Sequence, residues 1–423
     1  MKITIITTCL LWLHIHTAFA QADINFKHVK LGFKEYIGLV KNSNLKYASE
    51  KLNINISEAA IEAAKVFNDP YISADVTRAR ENSLTTGYDF SSEIVKPIDL
   101  GGERRARIDL TRSEKGLTTA LVEDYFRNLR AEATLYYLEA MKHEQLFIVR
   151  LNSYETMKKL AEADSIRYKL GSIMQIDAIQ SKLETGILLN ELIHATAEWK
   201  NSLSDLSLFT SVTKNDTLFL PSSRLNNVVR EFILNDLISE AQKNRADLQA
   251  ALMNKEVAQK ALRLTKKGRN TDIDLKIGFS GYYLKSETSP SSSGITAGIA
   301  VPLKFSNLYR GEIRMAEIRI QQADALFAHA DLQIKNEVTQ AWEYYLDYCS
   351  QVANFDNGLL KSAENVRKGK IYSYQRGETS LLEVLNAQRT FNEIQTRYYE
   401  TLYYQAAALV ELEKAAGIWD IEF

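Results

Sequence analysis

The chain is written twice, and this constrains its fold more than any single motif does. Laid on itself with an offset of roughly 205 residues, it repeats its landmarks in one order. Asn44-Leu45 falls on Asp247-Leu248, and Asp69-Pro70-Tyr71-Ile72 falls on Asp272-Ile273-Asp274-Leu275. Further along, Pro97 falls on Pro302, Tyr136-Tyr137-Leu138 on Tyr344-Tyr345-Leu346, and RYKLGSIMQIDAIQ on SYQRGETSLLEVLN. An ordered series with only small drifts argues for duplication. The copies are expected over residues 21–209 and 232–417, joined by a linker at 210–231 and followed by a tail at 418–423.

Proline placement sorts helix from strand, because proline is excluded from helix interiors and tolerated at strand ends and turns. The five prolines, Pro70, Pro97, Pro221, Pro290 and Pro302, bracket or interrupt two candidate strand hairpins (about 70–97 and 272–304) or lie in the linker. Four long proline-free blocks remain. In one of them apolar or small residues recur at Ile313, Ala316, Ile320, Ala323, Phe327, Ala330, Ile334, Val338, Ala341, Tyr345 and Tyr348. Spacings of mostly three and four give a heptad-type seam with one extra residue near its middle. The pattern runs from about Ile313 to Tyr374, roughly 90 Å of helix, and its counterpart from about Arg105 to Tyr168 is similar. Each long block meets a glycine, Gly171 or Gly377, and returns as a shorter helix, giving helical hairpins at about 103–208 and 311–416. A further half-length helix precedes each strand hairpin, at about Phe33 to Asn68 and Phe232 to Lys267. Two half-length helices stacked end to end match one long one, as the wall of a tube of uniform height requires.

In the strand candidates Ile273, Leu275, Ile277 and Phe279 alternate with polar or small residues, as do Ile295, Ala297, Ile299 and Val301. The first pair alternates more weakly, through Ile72, Ala74 and Val76 and then Tyr88, Phe90 and Ile94. Strands of about ten residues with one apolar face suit a tilted crossing of an outer membrane, and Tyr71, Tyr88, Tyr282 and Tyr283 stand where aromatic girdles lie. The tips, RENSLTT and SETSPSSSG, are polar and turn-rich. Four strands cannot close a barrel, and an open sheet edge in lipid leaves backbone groups unsatisfied. Membrane insertion therefore forces oligomerisation, and strand arithmetic allows eight strands from two copies or twelve from three. The fold class expected is mostly α with a small β part.

Residues 1–20, with Lys2, a short apolar run and Ala18-Phe19-Ala20, read as a secretory signal peptide. Gln21 stands where a lipoprotein has cysteine. No later apolar run reaches the roughly 20 residues of a transmembrane helix. The net charge of −1 gives no hint of nucleic acid. The mature chain's single cysteine, Cys349, has no disulfide partner and sits in a helical pattern. His28, His143, His194 and His329 look isolated, with no HExxH or Cys-x-x-Cys spacing. No metal site, cofactor loop or nucleophile elbow is expected, so the chain is read as a passive component and not an enzyme. A periplasmic coiled-coil adaptor or scaffold shares the long helical hairpins but has no need of two amphipathic strand pairs.

The pieces resemble one family over nearly the whole mature chain, the TolC-like outer membrane efflux proteins. VPLKFSNLYRGEIRMAEIRIQQA is similar to the family's strand-end proline, glycine and helix start. YSYQRGETSLLEVLNAQRTFNEIQTRYYETLYYQAAALVELEKAAG is similar to its second hairpin tip and returning helix. VKPIDLGGERRARIDLTRSE resembles the heavy-metal branch, of the cobalt-zinc-cadmium resistance type. The resemblance implies a homotrimer in the outer membrane with a twelve-stranded barrel and a helical periplasmic tunnel. It also implies a periplasmic adaptor, an inner-membrane pump of the RND type that supplies the energy, and a cargo of heavy-metal cations or other small toxic compounds. It assigns the pore constriction to Glu383, where three carboxylates favour cations and raise one another's pKa. Asn386 replaces a second acid one helical turn later. Tip and adaptor docking fall to Gly171, Asp177, Gly377 and Leu381, and the strand-to-helix turns to Pro97, Gly101, Gly102, Pro302 and Gly311.

Overall fold

The computed structural model describes residues 27–82, 85–211, 217–227, 229–270, 272–284, 292–303 and 308–423. The signal-peptide region, Pro290 and most of the second strand-hairpin tip lie outside them. The first copy runs β1 (Lys27–Leu31), α1 (Phe33–Ser43), α2 (Leu45–Ala64), β2 (Tyr71–Asn82), β3 (Thr85–Ile98), α3 (Glu103–Lys169) and α4 (Gln175–Thr210). The second runs β4 (Thr217–Pro221), α5 (Leu234–Asn244), α6 (Ala246–Gly268), β5 (Ile273–Leu284), β6 (Ser292–Ala300), α7 (Arg310–Asn354), α8 (Leu360–Gln375) and α9 (Leu381–Ala416). The order of elements is the same in both, with α7 and α8 together standing where the first copy has α3. The duplication is therefore structural as well as textual.

Four strands form one antiparallel sheet in the order β2-β3-β5-β6. Its register lines up apolar side chains across all four: Ile72 opposite Ile94, Ile94 opposite Ile277, and Ile277 opposite Ala297. Ile72, Ile94, Ile277 and Ile299 on this face are all exposed. A row of exposed isoleucines is what a lipid-facing surface looks like and what a water-facing one avoids. Pro97 lies in β3 opposite Asp274, past the end of the β2 pairing, so its missing N–H breaks no rung on that side.

Three features depart from the architecture expected from the sequence. Each half-length helix is two helices, meeting at Asn44 and at Arg245, both in extended conformation. The Asn44 carboxamide accepts from the Tyr47 N–H (2.8 Å) and donates to the Phe209 carbonyl (3.0 Å), so it caps one helix and ties the break to α4. The long second-copy helix is also interrupted, by a π-helical turn at Phe355–Leu359 where Gly358 adopts φ +109°. The linker is not merely a spacer, since β4 pairs in parallel with β1, from Lys27 opposite Thr217 to Leu31 opposite Pro221. This two-stranded strap joins the start of both copies.

The main core lies at the waist, where α3, α4, α7 and α9 pass the strap and the two short helices α1 and α5. Tyr36, Tyr137, Leu138, Met141, Leu203, Leu206, Ile334, Tyr345, Leu402, Leu409 and Leu412 are buried there. The tail folds back on it. Phe423 meets Phe33 edge-on at 5.2 Å, Trp419 lies under Arg130, and the Ser223 hydroxyl donates to the Phe423 carbonyl (2.7 Å). Arg230, from the segment before α5, bridges Glu413 of α9 and Asp420 of the tail. Burial, first of all, and then the hydrogen bond shared with Asp420 push the Glu413 carboxyl up to about 7, over the pull of Arg230. The bidentate hold of Arg230 keeps Asp420 down at about 2.

Candidate functional site

Both hairpin tips are built by the same rule. At the end of α3 the Gly171 N–H donates to the Tyr168 carbonyl (2.9 Å) and the Ser172 N–H to Arg167 (2.8 Å). At the end of α8, Gly377 and Glu378 donate in the same way to Tyr374 (3.0 Å) and Ser373 (2.9 Å). Both glycines have positive φ, which a side chain resists. After each turn an acid occupies the third helical position, Asp177 in α4 and Glu383 in α9, where the helix dipole favours negative charge. That local role accounts for part of why an acid stands at each place.

The tips differ in what surrounds those acids. Glu383 is exposed, as is Asn386 one turn on, whereas Leu381 is buried in a small core with Met157, Leu160, Leu188, Tyr374, Val384 and Leu385. Lys370 of α8 pairs with Glu383 Oε2, and the Thr379 hydroxyl donates to the same oxygen at 2.9 Å. The bonds from Lys370 and Thr379 hold the Glu383 carboxyl below its usual pKa. Within one chain this is opposite in direction to what crowded carboxylates would produce, because a lysine and a hydroxyl bind the carboxylate.

Three polar ties that periodicity cannot reveal fasten the second hairpin to the first. The Tyr374 hydroxyl donates to the fully buried Asp164 of α3 (3.0 Å), with Arg167 over the tyrosine ring. Burial, the largest influence, raises the Asp164 pKa against the donors around it. Arg389 of α9 forks onto Glu184 of α4 (3.2 and 2.9 Å), and the Ser153 hydroxyl reaches Asn392 at 2.6 Å.

At the other end, the first strand-to-helix turn is held by Asp99. Its carboxylate accepts from the N–H groups of Gly102 (2.7 Å), Glu103 (3.1 Å) and Arg104 (2.7 Å). Burial opposes the charge, but these backbone bonds overcome it and keep the Asp99 pKa low. A Cβ on Gly101 would meet Asn270 at 2.9 Å, so the glycine pair serves close approach as well as the left-handed turn at Gly102 (φ 72°). The second turn is built differently. Gly311 lies inside α7, and the positive φ falls on Leu308 and Tyr309 instead. Pro302 follows β6 and is exposed.

The histidines are less isolated than their spacing suggests. His143 Nδ1 and His194 Nδ1 stand 3.8 and 3.6 Å from the two oxygens of Glu198, joining α3 to α4. Among the described residues, no three histidine, cysteine or acidic side chains are arranged to hold a metal ion. Among those residues, too, no helix is long and apolar enough to cross a membrane.

Residues 237–418 match the family model for the outer membrane efflux protein. The chain carries a domain of the outer membrane efflux protein family. It is 21% identical over 412 residues to the cobalt-zinc-cadmium resistance protein CzcC of Cupriavidus metallidurans, covering 93% of this chain and 94% of that one. A CusC structure superposes with a TM-score of 0.72 at 15% identity, over 93% of this chain and 94% of that one. The CmeC outer membrane channel of Campylobacter jejuni superposes with a TM-score of 0.74 at 15% identity, over 91% of this chain and 85% of that one. The family model matches mainly the second copy, and the superpositions carry the same fold through the first. An outer membrane efflux protein is the channel component of a tripartite system, working with an adaptor and an inner-membrane pump. It is a transport duct and not an enzyme.

Proposed function

We propose that three copies of this chain close a twelve-stranded barrel in the outer membrane and continue as a helical tunnel into the periplasm. The tunnel is a passive exit for cargo delivered by an RND-type pump through its adaptor. The observation that carries this is the four-stranded sheet with an exposed apolar face and two outer edges, β2 and β6, that no described strand of the same chain covers. Such edges are tolerable in lipid only when a second copy pairs with them. Likeness to CzcC supports heavy-metal cations as the cargo. Glu383 and Asn386 then line the periplasmic constriction, and the exposed tips around Gly171, Asp177 and Gly377 face the adaptor, with buried Leu381 bracing the second tip from within.

The test is planar-bilayer recording on the purified oligomer, wild type and Glu383→Ala. Discrete conductance steps are expected, altered in size or closing kinetics by the substitution. An assembled oligomer that never conducts ends the duct reading, and conductance indifferent to Glu383→Ala ends the constriction reading. For the cargo, a deletion strain should lose resistance to cobalt, zinc and cadmium salts. Unchanged metal resistance with a new sensitivity to detergents or antibiotics would move the cargo to organic compounds.

A further inference from the structure

The constriction acid has a counter-charge of its own. Lys370 lies thirteen residues before Glu383 across the hairpin turn, and its ammonium contacts the carboxylate on the oxygen that Thr379 also binds. Both side chains are about half exposed, at 42% and 50%, so the pair faces whatever lies on that side of the hairpin. Among the described residues, no other acid pairs with the lysine. Glu364 pairs with Lys368 (2.6 Å), Glu378 pairs with Arg376 (3.4 Å), and the next turn of α9 carries uncharged Asn386. From Leu360 to Asn386 the sequence holds five basic and three acidic residues, so this tip is not an acidic surface.

The duplication shows that the pairing is particular to this hairpin. In the register that lays RYKLGSIMQIDAIQ on SYQRGETSLLEVLN, Glu383 corresponds to Asp177 and Lys370 to Asp164. The first copy has acid and acid at the two places, and the second has acid and base. An exposed ion pair contributes little to stability, so folding alone gives no reason for the lysine. Its field is another matter. Opposite charges side by side nearly cancel at distances longer than their own separation, whether or not the contact is made at every instant, and an unpaired charge would be felt out to a Debye length of about 8 Å.

We propose that Lys370 is a specificity-determining residue of the duct: it balances Glu383, so that the mouth carries three neutral pairs and does not select its cargo by charge. The proposal rests on the reading that Glu383 lines the constriction. Its consequence is that cations, neutral compounds and anionic complexes of a metal pass alike, and that discrimination lies upstream in the pump.

The test is the reversal potential of the reconstituted oligomer in a potassium chloride gradient, for wild type, Lys370→Gln, Glu383→Gln and the double variant. Oligomeric assembly is checked for each on unheated gels. Lys370→Gln should raise the potassium-to-chloride permeability ratio by about threefold or more, Glu383→Gln should lower it comparably, and the double variant should return near wild type. Lys370→Glu, which places six carboxylates at the mouth of a trimer, should add block by hexamminecobalt(III) that wild type lacks. A shift with Glu383→Gln but none with either Lys370 variant overturns the proposal and leaves the constriction reading standing. No shift with any variant of an oligomer that conducts overturns both, and an oligomer that does not conduct overturns the duct reading beneath them.

Discussion

The waist and the tips of this molecule are held together in different ways. At the waist all four long helices share one large apolar core, reinforced by the β1–β4 strap, the folded-back tail and the Arg230 bridge. At the tips the second hairpin rests on the first through a handful of buried apolar side chains and three polar ties. The first arm reaches its tip on one unbroken 67-residue helix, whereas the second is interrupted at Phe355–Leu359, just beyond the last buried waist residue on that arm, Val352. Between Val352 and Tyr374 no residue of the second arm is fully buried. The first arm is a strut, and the second is jointed where the core ends. The second arm beyond its joint is thus the part of the chain with the least packing to lose.

The largest expected effect sharpens the waist side of the contrast. Glu413 is fully buried and its folded-state pKa of about 7 lies above the ordinary 4.5. The folded chain therefore binds this proton more tightly than the unfolded chain does. The resulting stability is fully present below about pH 4.5 and is lost as pH rises through about 7, on the order of 3 kcal/mol in all. Asp420, held low, acts in the opposite sense and only as pH falls below its ordinary 3.8 toward about 2. Denaturant unfolding between pH 4.5 and 7.5 should show the slope in wild type and lose most of it in Glu413→Gln. An unchanged slope would mean that the waist is not where the proton is held.

Tyr374→Phe probes the tip side, with a smaller effect of about 2 kcal/mol. The ring stays under Arg167, but Asp164 loses a donor while buried, and its second oxygen already has no partner among the described residues. Amide exchange along α8 and the last turns of α3 should quicken roughly tenfold or more, while the waist keeps its protection. Equal loosening at both ends would break the comparison.

The architecture was legible because it rests on repetition: two proline-punctuated strand pairs and two long seams can be read from spacing alone. The ties were not, because they join residues far apart in the chain, Asp164 to Tyr374 and Arg230 to Glu413, and no period connects them. Glu383 was found by resemblance, but Lys370 was not, since only the folded hairpin brings them together. Asn44 and Arg245 hid their helix breaks inside helical patterning; the extended backbone at each reveals them, and at Asn44 the side-chain bonds to the Tyr47 N–H and the Phe209 carbonyl do so too. The joint in the second arm did leave a trace. Asn357-Gly358 is a turn-forming dipeptide inside an otherwise helical block, overridden in reading by the strength of the seam around it.

That dipeptide supports the smallest of the expected effects and the most direct test of the contrast between the arms. A side chain at φ +109° is strained, and nothing lies within 4 Å of the position where its Cβ would stand, so Gly358→Ala acts through the backbone alone. Held in the same conformation it should cost about 1 kcal/mol. The strain is relieved only if the arm straightens toward regular helix, which would carry α8 away from α9 and Tyr374 away from Asp164. Tyr374 and Asp164 oppose that movement. Gly358→Ala should therefore leave unfolding at the waist nearly unchanged while quickening exchange at the tip, and the double variant with Tyr374→Phe should lose less stability than the sum of the two, because an arm without its tie can straighten and relieve the strain. Strict additivity would show that the joint and the tie act independently, and that the second arm is as much a strut as the first.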